Sequence, residues 1–78
     1  MALSDAEGKV MEKLELFYIF RAAIDDEKRA QRRYKEAIKL TEDRPELSSV
    51  FVEILREEQN HEKRLVSLYK KHKAEFES

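Results

Sequence analysis

Apolar side chains recur along this chain in alternating steps of three and four residues. The stripe in the first half contains Phe17, Phe20, Ile24, Glu27, Gln31, Tyr34, Ile38 and Thr41, and the stripe in the second half contains Leu47, Phe51, Ile54, Glu58, His61, Leu65, Leu68 and His72. This spacing places the side chains on one face of an α-helix. The pattern therefore predicts two amphipathic helices that pack along these stripes.

The two predicted helices are separated by one short break. Nothing interrupts a helix over residues 9–41, where Ala, Glu, Lys, Arg and Leu predominate. We expect a turn over residues 42–45 and a second helix over residues 46–75. The prediction is a single all-α domain over residues 1–78, folded as an antiparallel two-helix hairpin. Counting outward from the turn sets Tyr34 near Phe51, Gln31 near Ile54 and Phe17 near Leu68.

Capping residues support these limits. Ser4 or Asp5 can act as the N-cap of the first helix, and Asp43 can cap the second. Pro45 suits a first helical turn, where its missing N–H costs nothing.

Composition narrows the class of partner. The 78 residues include 16 Lys and Arg and 17 Asp and Glu. The chain therefore has no surplus of basic residues that would predict binding to nucleic acid or anionic lipid. The longest apolar run, residues 16–20, is far shorter than the roughly 20 residues of a membrane span. The start of the chain does not resemble a secretory leader, and we expect a cytoplasmic location. The absence of Cys excludes disulfides and thiolate metal sites.

A two-helix hairpin cannot enclose a core, because each stripe has only one neighbour. Residues 16–20 are apolar around the whole helix, and a second apolar stripe consists of Val52, Leu55, Val66 and Tyr69. We therefore expect the chain to self-associate and so cover this apolar surface. Two hairpins would form a four-helix bundle, and the surplus apolar surface favours an assembly larger than a dimer.

Three positions in the two stripes carry polar or charged side chains, which an apolar seam between helices normally lacks: Glu27, Glu58 and His61. When the chain is folded about its turn, Glu27 is level with Glu58, and His61 follows Glu58 in a Glu-x-x-His spacing that spans one helical turn. An uncompensated carboxylate in an apolar interior costs several kcal/mol. A bound metal cation is the predicted partner, and the alternative is a buried polar group that specifies helix pairing.

One chain offers too few ligands for a buried ion. A symmetric dimer offers four Glu and two His, which suits two cations bridged by carboxylates, with positions left for an oxidant or water. Closed zinc sites normally use Cys and His, so the residues favour iron or manganese.

The order Glu27, six intervening residues, Tyr34 and then Glu58-x-x-His61 resembles one half of the rubrerythrin and ferritin-like di-iron bundle, a class known for this ligand pattern. A chain with only two helices is similar to the encapsulated ferritins, which build the iron site between subunits. The resemblance implies a ferroxidase that oxidises Fe(II) to Fe(III) for iron storage or detoxification. It also implies two iron ions per dimer interface, with manganese or zinc as substitutes.

The resemblance further implies a role for each residue. Glu27 is a terminal ligand, Glu58 is a bridging ligand, and His61 binds through one ring nitrogen. Tyr34 hydrogen-bonds near the ligands, the alternative being an ordinary core aromatic. Gln31 can orient a ligand or set the helix register.

Two more residues have competing interpretations. Glu62 is a candidate ligand for an ion moving into the site, against the alternative of an ion pair with Arg or Lys on a solvated flank. His72 lies 11 residues beyond His61 and is expected to be a helix-end histidine, not a ligand.

The resemblance also suggests an enclosing shell protein as a partner, which would place the chain inside a nanocompartment. Two other functions stay open. One is rubrerythrin-like peroxide reduction, which needs a separate electron donor because this chain has no Cys. The other is a non-catalytic helical oligomerisation module.

Overall fold

A computed structural model describes residues 4–77 of the protein. Helix α1 runs over Asp5–Leu40 and has 36 residues. The Ser4 side chain accepts a hydrogen bond of 3.2 Å from the backbone N–H of Glu7, and Asp5 and Glu7 place negative charge in the first turn. This cap and the favourable charge start α1 four residues before the predicted limit.

Helix α2 runs over Pro45–Glu77 and has 33 residues. Pro45 is its first residue, as its fixed φ favours. The prediction that Asp43 caps α2 is wrong, since no side-chain capping bond from it exists in residues 4–77. The backbone carbonyl of Arg44 instead accepts from the amides of Leu47 and Ser48 at 2.9 and 3.0 Å.

The two helices form an elongated antiparallel hairpin that measures 61 × 26 × 13 Å. No residue within 4–77 is fully buried, so the apolar contact is a single seam between α1 and α2. Within the same range, neither helix is long and apolar enough to cross a membrane. The hairpin has no enclosed core, as the sequence predicted.

The seam follows the predicted register near the turn and departs from it at the open end. Tyr34 stacks on Phe51, with ring centroids 6.2 Å apart, which confirms the predicted pair. Phe17 was predicted to lie near Leu68; its ring packs on those of Tyr69, His72 and Phe76, with ring centroids 5.9, 5.1 and 5.2 Å apart.

We call this group of rings the aromatic layer; its members are Phe17, Phe20, Tyr69, His72 and Phe76. Leu68, which was predicted to lie in the seam, is 53% exposed. A straight α-helix drifts by about 20° per heptad relative to a strict seven-residue repeat. Over the length of α2, this drift turns Leu68 outward and brings Tyr69 and Phe76 into the seam. His72 therefore packs between the helices and is more than a helix-end residue.

Candidate metal centre

Both helices contribute to one cluster of metal-binding side chains. Glu27 comes from the middle of α1, and Glu58 and His61 come from successive turns of α2. One ligand atom of each lies within 4.8 Å of the other two. We call these three residues the ligand layer. The structure thus brings together the three residues that the seam pattern singled out.

The distances in the ligand layer suit a shared cation. His61 Nδ1 lies 3.8 Å from Glu27 Oε1 and 3.9 Å from Glu58 Oε1. Two donors bound to one ion at about 2.1 Å stand at most about 4.2 Å apart. The three side chains can therefore reach one ion with little movement. Two carboxylates and one imidazole form a donor set for iron, manganese or zinc.

The two carboxylates and the imidazole differ in exposure. The side chains of Glu27 and Glu58 are 19% and 20% exposed, whereas that of His61 is 51% exposed. The sequence predicted that all three point into the seam. The drift of α2 leaves His61 at the edge of the seam, where half of its side chain is exposed.

The surroundings of Glu27 favour a cation beside it. Its Oε2 atom is buried and receives no hydrogen bond from residues 4–77. The pKa of Glu27 is raised above its ordinary value, first by hydrogen bonding to the Glu58 carboxyl, then by burial and by the negative charge of Glu58, while His61 opposes the shift. A cation between the two carboxylates would remove this repulsion.

Tyr34 and Glu62 lie outside the three-residue group. Tyr34 is half-buried against Phe51, and its hydroxyl makes no hydrogen bond within residues 4–77. Its hydrogen bond near the metal ligands therefore stays a prediction.

Glu62 does not form the ion pair weighed from the sequence, and its role as a ligand for an entering ion stays a prediction. It accepts a 3.0 Å hydrogen bond from Gln31 Nε2 and forms no ion pair with Arg or Lys in the described part of the chain. Sequence reasoning missed this pair. The available signal was spacing, because each residue lies four positions after a predicted ligand, Glu27 or Glu58.

The two broad sides of the hairpin have different chemistry. At about 100° of rotation per residue, the side that carries His61 also carries a row of small and apolar residues. We call it the alanine face; its members are Ile19, Ala23, Ala30 and Ala37 of α1 and Val50, His61 and Leu68 of α2.

The opposite side of the hairpin carries Arg21, Lys28, Arg32, Lys35 and Lys39 of α1 beside the second apolar stripe of α2, and we call it the basic side. An open groove of about 770 Å³ also lies on this side, and its lining includes Arg21 of α1 and Tyr69 and Lys73 of α2.

Comparison with known proteins gave one match. The family model described as Rubrerythrin matches residues 19–78, a span that includes Glu27, Tyr34, Glu58 and His61. Neither the search of curated proteins nor the search of solved structures found a match.

Proposed function

The chain belongs to the rubrerythrin family of ferritin-like proteins, and from that premise we propose that it is a di-iron carboxylate protein with ferroxidase activity. It oxidises Fe(II) to Fe(III) at a site shared between two subunits, for iron storage or detoxification. The observation that carries this proposal is the ligand layer, in which donors from both helices lie within 4.8 Å of one another.

A single hairpin leaves the site incomplete. Three side chains cannot fill the coordination sphere of an iron ion, and the family's bundles use the ligands of four helices. A second copy supplies another Glu27, Glu58 and His61. The resulting set of four carboxylates and two imidazoles suits two iron ions and leaves positions open for the oxidant.

The surface of the hairpin also supports a second copy. Its accessible area is 6487 Å², whereas a compact monomer of 9.3 kDa exposes about 5,000 Å². The excess of about 1,500 Å² exceeds the roughly 800 Å² that each partner buries in a standard interface. An obligate helical dimer accounts for this excess, since such interfaces resemble a protein core cut in half.

The alanine face is the side that meets the second copy. Small residues at positions 23, 30 and 37 permit close approach of another helix, and the exposed edge of His61 lies on the same side. The basic side also carries the second apolar stripe of α2, but it is less suitable, because two copies that pair there would bring the like charges of α1 together. Pairing through the alanine face therefore completes the bundle and closes the site in one step.

The residues of the chain prepare the site for its substrate. Glu27 and Glu58 place negative charge in a partly dehydrated layer and so attract Fe(II), and His61 adds a neutral nitrogen donor from the open edge. Bound iron supplies open coordination positions and the one-electron change between Fe(II) and Fe(III). Two Fe(II) ions lose one electron each, and dioxygen that takes up two electrons and two protons becomes hydrogen peroxide.

Anaerobic titration with Fe(II), followed by exposure to air, tests the activity. We expect about one iron per chain in the two-ion site and a rise in near-ultraviolet absorbance from Fe(III) after air is admitted. Glu58→Ala should remove both signals, while Glu53→Ala, an exposed glutamate of the same helix, should keep them. Equal iron oxidation by the wild type and Glu58→Ala would overturn the proposal.

Peroxide reduction is the second candidate function, because the matching family is described as Rubrerythrin. The same titration separates the two activities when hydrogen peroxide and a chemical reductant replace air. Repeated turnover of peroxide without accumulation of Fe(III) would assign the reductase. Tight metal binding without any oxidant-dependent signal would assign a structural site.

A matched pair of variants tests the dimer. Ala30→Glu places a bulky charge on the alanine face, and Lys28→Glu places the same charge on the basic side of the same helix. Sedimentation should show dissociation for Ala30→Glu alone, together with loss of iron binding. If Lys28→Glu dissociates the assembly and Ala30→Glu does not, the subunits pair through the other side. An enclosing shell protein stays a prediction from the resemblance to encapsulated ferritins.

A further inference from the structure

A hydrogen bond between side chains joins the two helices next to the ligand layer. Gln31 Nε2 of α1 donates to Glu62 Oε1 of α2 at 3.0 Å, and both side chains are half-buried. The amide is neutral, so the bond does not cancel the charge of the carboxylate. The effect of this hydrogen bond therefore comes from where it holds the two side chains, and not from neutralising the charge of Glu62.

The register shows that this bond crosses the ligand layer. Gln31 follows Glu27 by one helical turn, and Glu62 follows Glu58 by one turn. Because α1 and α2 are antiparallel, these two four-residue steps lead in opposite directions from the layer, each by about 6 Å. The side chains must reach back toward each other to meet. The side chains of Gln31 and Glu62 meet on the side of the ligand layer away from His61, because Glu62 is rotated by about 100° around α2 from His61.

Glu62 is a third carboxylate within reach of the site, yet it is not one of the three clustered donors. A carboxylate next to a metal ligand is itself a good ligand for a hard cation. Gln31 donates to Oε1, one of the two carboxylate oxygens of Glu62. In the described part of the chain, this is the side-chain hydrogen bond that ties Glu62 to α1.

Charge balance gives a physical reason for keeping Glu62 apart. In the dimer, two copies of Glu27 and Glu58 carry four negative charges, which match the four positive charges of two Fe(II) ions. Addition of both copies of Glu62 would leave two uncompensated negative charges in a partly buried site. It would also fill coordination positions that the oxidant needs.

We propose that Gln31 is a positioning residue that holds Glu62 out of the metal-ligand set, so that each chain contributes two carboxylates and one imidazole. This inference rests on the metal binding of the proposed function. It gives Gln31 a role in limiting the number of metal ligands that each chain contributes, which the family match does not describe.

Co²⁺ is a suitable probe, because the intensity of its visible absorption falls as its coordination number rises and because binding is measured without iron chemistry. The wild-type assembly is titrated with Co²⁺ and followed by absorption and calorimetry. Gln31→Leu removes the donor and keeps a similar volume. We expect it to bind Co²⁺ about tenfold more tightly, in line with typical effects of residues behind metal ligands, and with weaker visible absorption.

Two further variants separate ligand gain from altered packing. Glu62→Gln should keep the wild-type Co²⁺ spectrum and affinity, because Glu62 is not a ligand. In the double variant Gln31→Leu/Glu62→Gln, the spectrum should return to that of the wild type. Glu62→Gln needs no change to Gln31, so it tests the inference even if Gln31→Leu does not fold.

The outcomes distinguish this inference from the function on which it rests. If the wild type binds no Co²⁺, the metal site itself is refuted, and the inference with it. If the wild type binds Co²⁺ and Gln31→Leu behaves identically, only the role of Gln31 is refuted. If Glu62→Gln weakens binding and changes the wild-type spectrum, Glu62 is already a ligand and the inference is wrong.

Discussion

The two histidines of α2 lie 11 residues apart in two layers of the same seam, and their surroundings differ. His61 lies beside the carboxylates of Glu27 and Glu58 and is 51% exposed. His72 lies between the rings of Phe17 and Phe20, and its Nε2 atom is buried with no hydrogen-bond partner in residues 4–77. One imidazole is close to anionic oxygen donors and half exposed, whereas the other is half-buried against aromatic rings.

This difference shows that the neighbours of a histidine, and not its residue type, make it suited to metal binding. A cation at His61 would meet two carboxylates that neutralise it. A cation at His72 would meet only aromatic faces and would lose its water without gaining an anionic ligand. The ligand layer is suited to bind a metal and the aromatic layer to hold the open end of the hairpin together.

The largest expected effect separates the two histidines directly. His61→Ala should weaken Co²⁺ or Fe(II) binding by more than about 100-fold, because loss of a ligand costs more than loss of a residue behind one. His72→Ala should leave metal affinity within about threefold of the wild type. Isothermal calorimetry on both assemblies measures this. Similar losses in the two variants would mean that His72 supports the site and that the layers are not independent.

The second prediction concerns the aromatic layer. Phe17→Ala should lower the free energy of unfolding of the metal-free protein by about 2 kcal/mol, less than for a fully buried Phe because Phe17 is half-buried. Tyr18, its neighbour, is 74% exposed, and Tyr18→Ala should change stability by less than about 0.5 kcal/mol. Urea unfolding at fixed protein concentration compares them. Equal losses would show that the layer does not stabilise the open end.

A smaller effect is expected from the buried nitrogen of His72. His72→Phe keeps an aromatic ring and removes an atom that has no partner, so the metal-free protein should gain about 1 kcal/mol in stability. Metal affinity should not change. A loss of stability would indicate that the imidazole of His72 makes a favourable contact with Phe17 or Phe20 that a third phenyl ring cannot replace.

The smallest effect is a pH dependence in the ligand layer. Because the pKa of Glu27 is raised in the folded state, chiefly by hydrogen bonding to Glu58, the folded protein keeps a proton that the unfolded chain has lost. The contribution of Glu27 to stability therefore falls as pH rises from the ordinary carboxyl pKa through the raised one. Glu27→Gln removes this fall, so its stability advantage over the wild type should grow with pH in that window.

Unfolding of the metal-free wild type and Glu27→Gln at a series of pH values measures this difference. An advantage that grows on acidification would have the wrong sign and would contradict the assigned cause. The aromatic layer provides the comparison: the change in stability that Phe17→Ala causes should depend much less on pH over the same window, because the Phe17 side chain has no titratable group.

The fold was largely predictable from local sequence. Two long helical patterns with one break leave little choice beyond a hairpin, and the level pairing of Tyr34 with Phe51 followed from counting outward from the turn. Prediction failed where small angular errors accumulate. A heptad stripe extended over α2 assigned Leu68 to the seam, although the real helix presents Tyr69.

The three members of the ligand layer were predictable as well, because an acidic residue in an apolar stripe has few explanations. The bond between Gln31 and Glu62 was not predictable. It depends on how two long side chains reach across an antiparallel interface, and a level pairing of the stripes had set Gln31 against Ile54. The half-exposure of His61 was missed for the same angular reason as Leu68.

The sequence by itself determined that this chain is two helices and that Glu27, Glu58 and His61 share a layer, because helical periodicity and a single break set both. Only the tertiary structure decided which side of that layer is open. The rotation of α2 against α1 places His61 on the alanine face and brings Glu62 within hydrogen-bonding distance of Gln31. Periodicity fixes spacing along each helix, whereas the angle between two faces depends on side-chain packing across the seam.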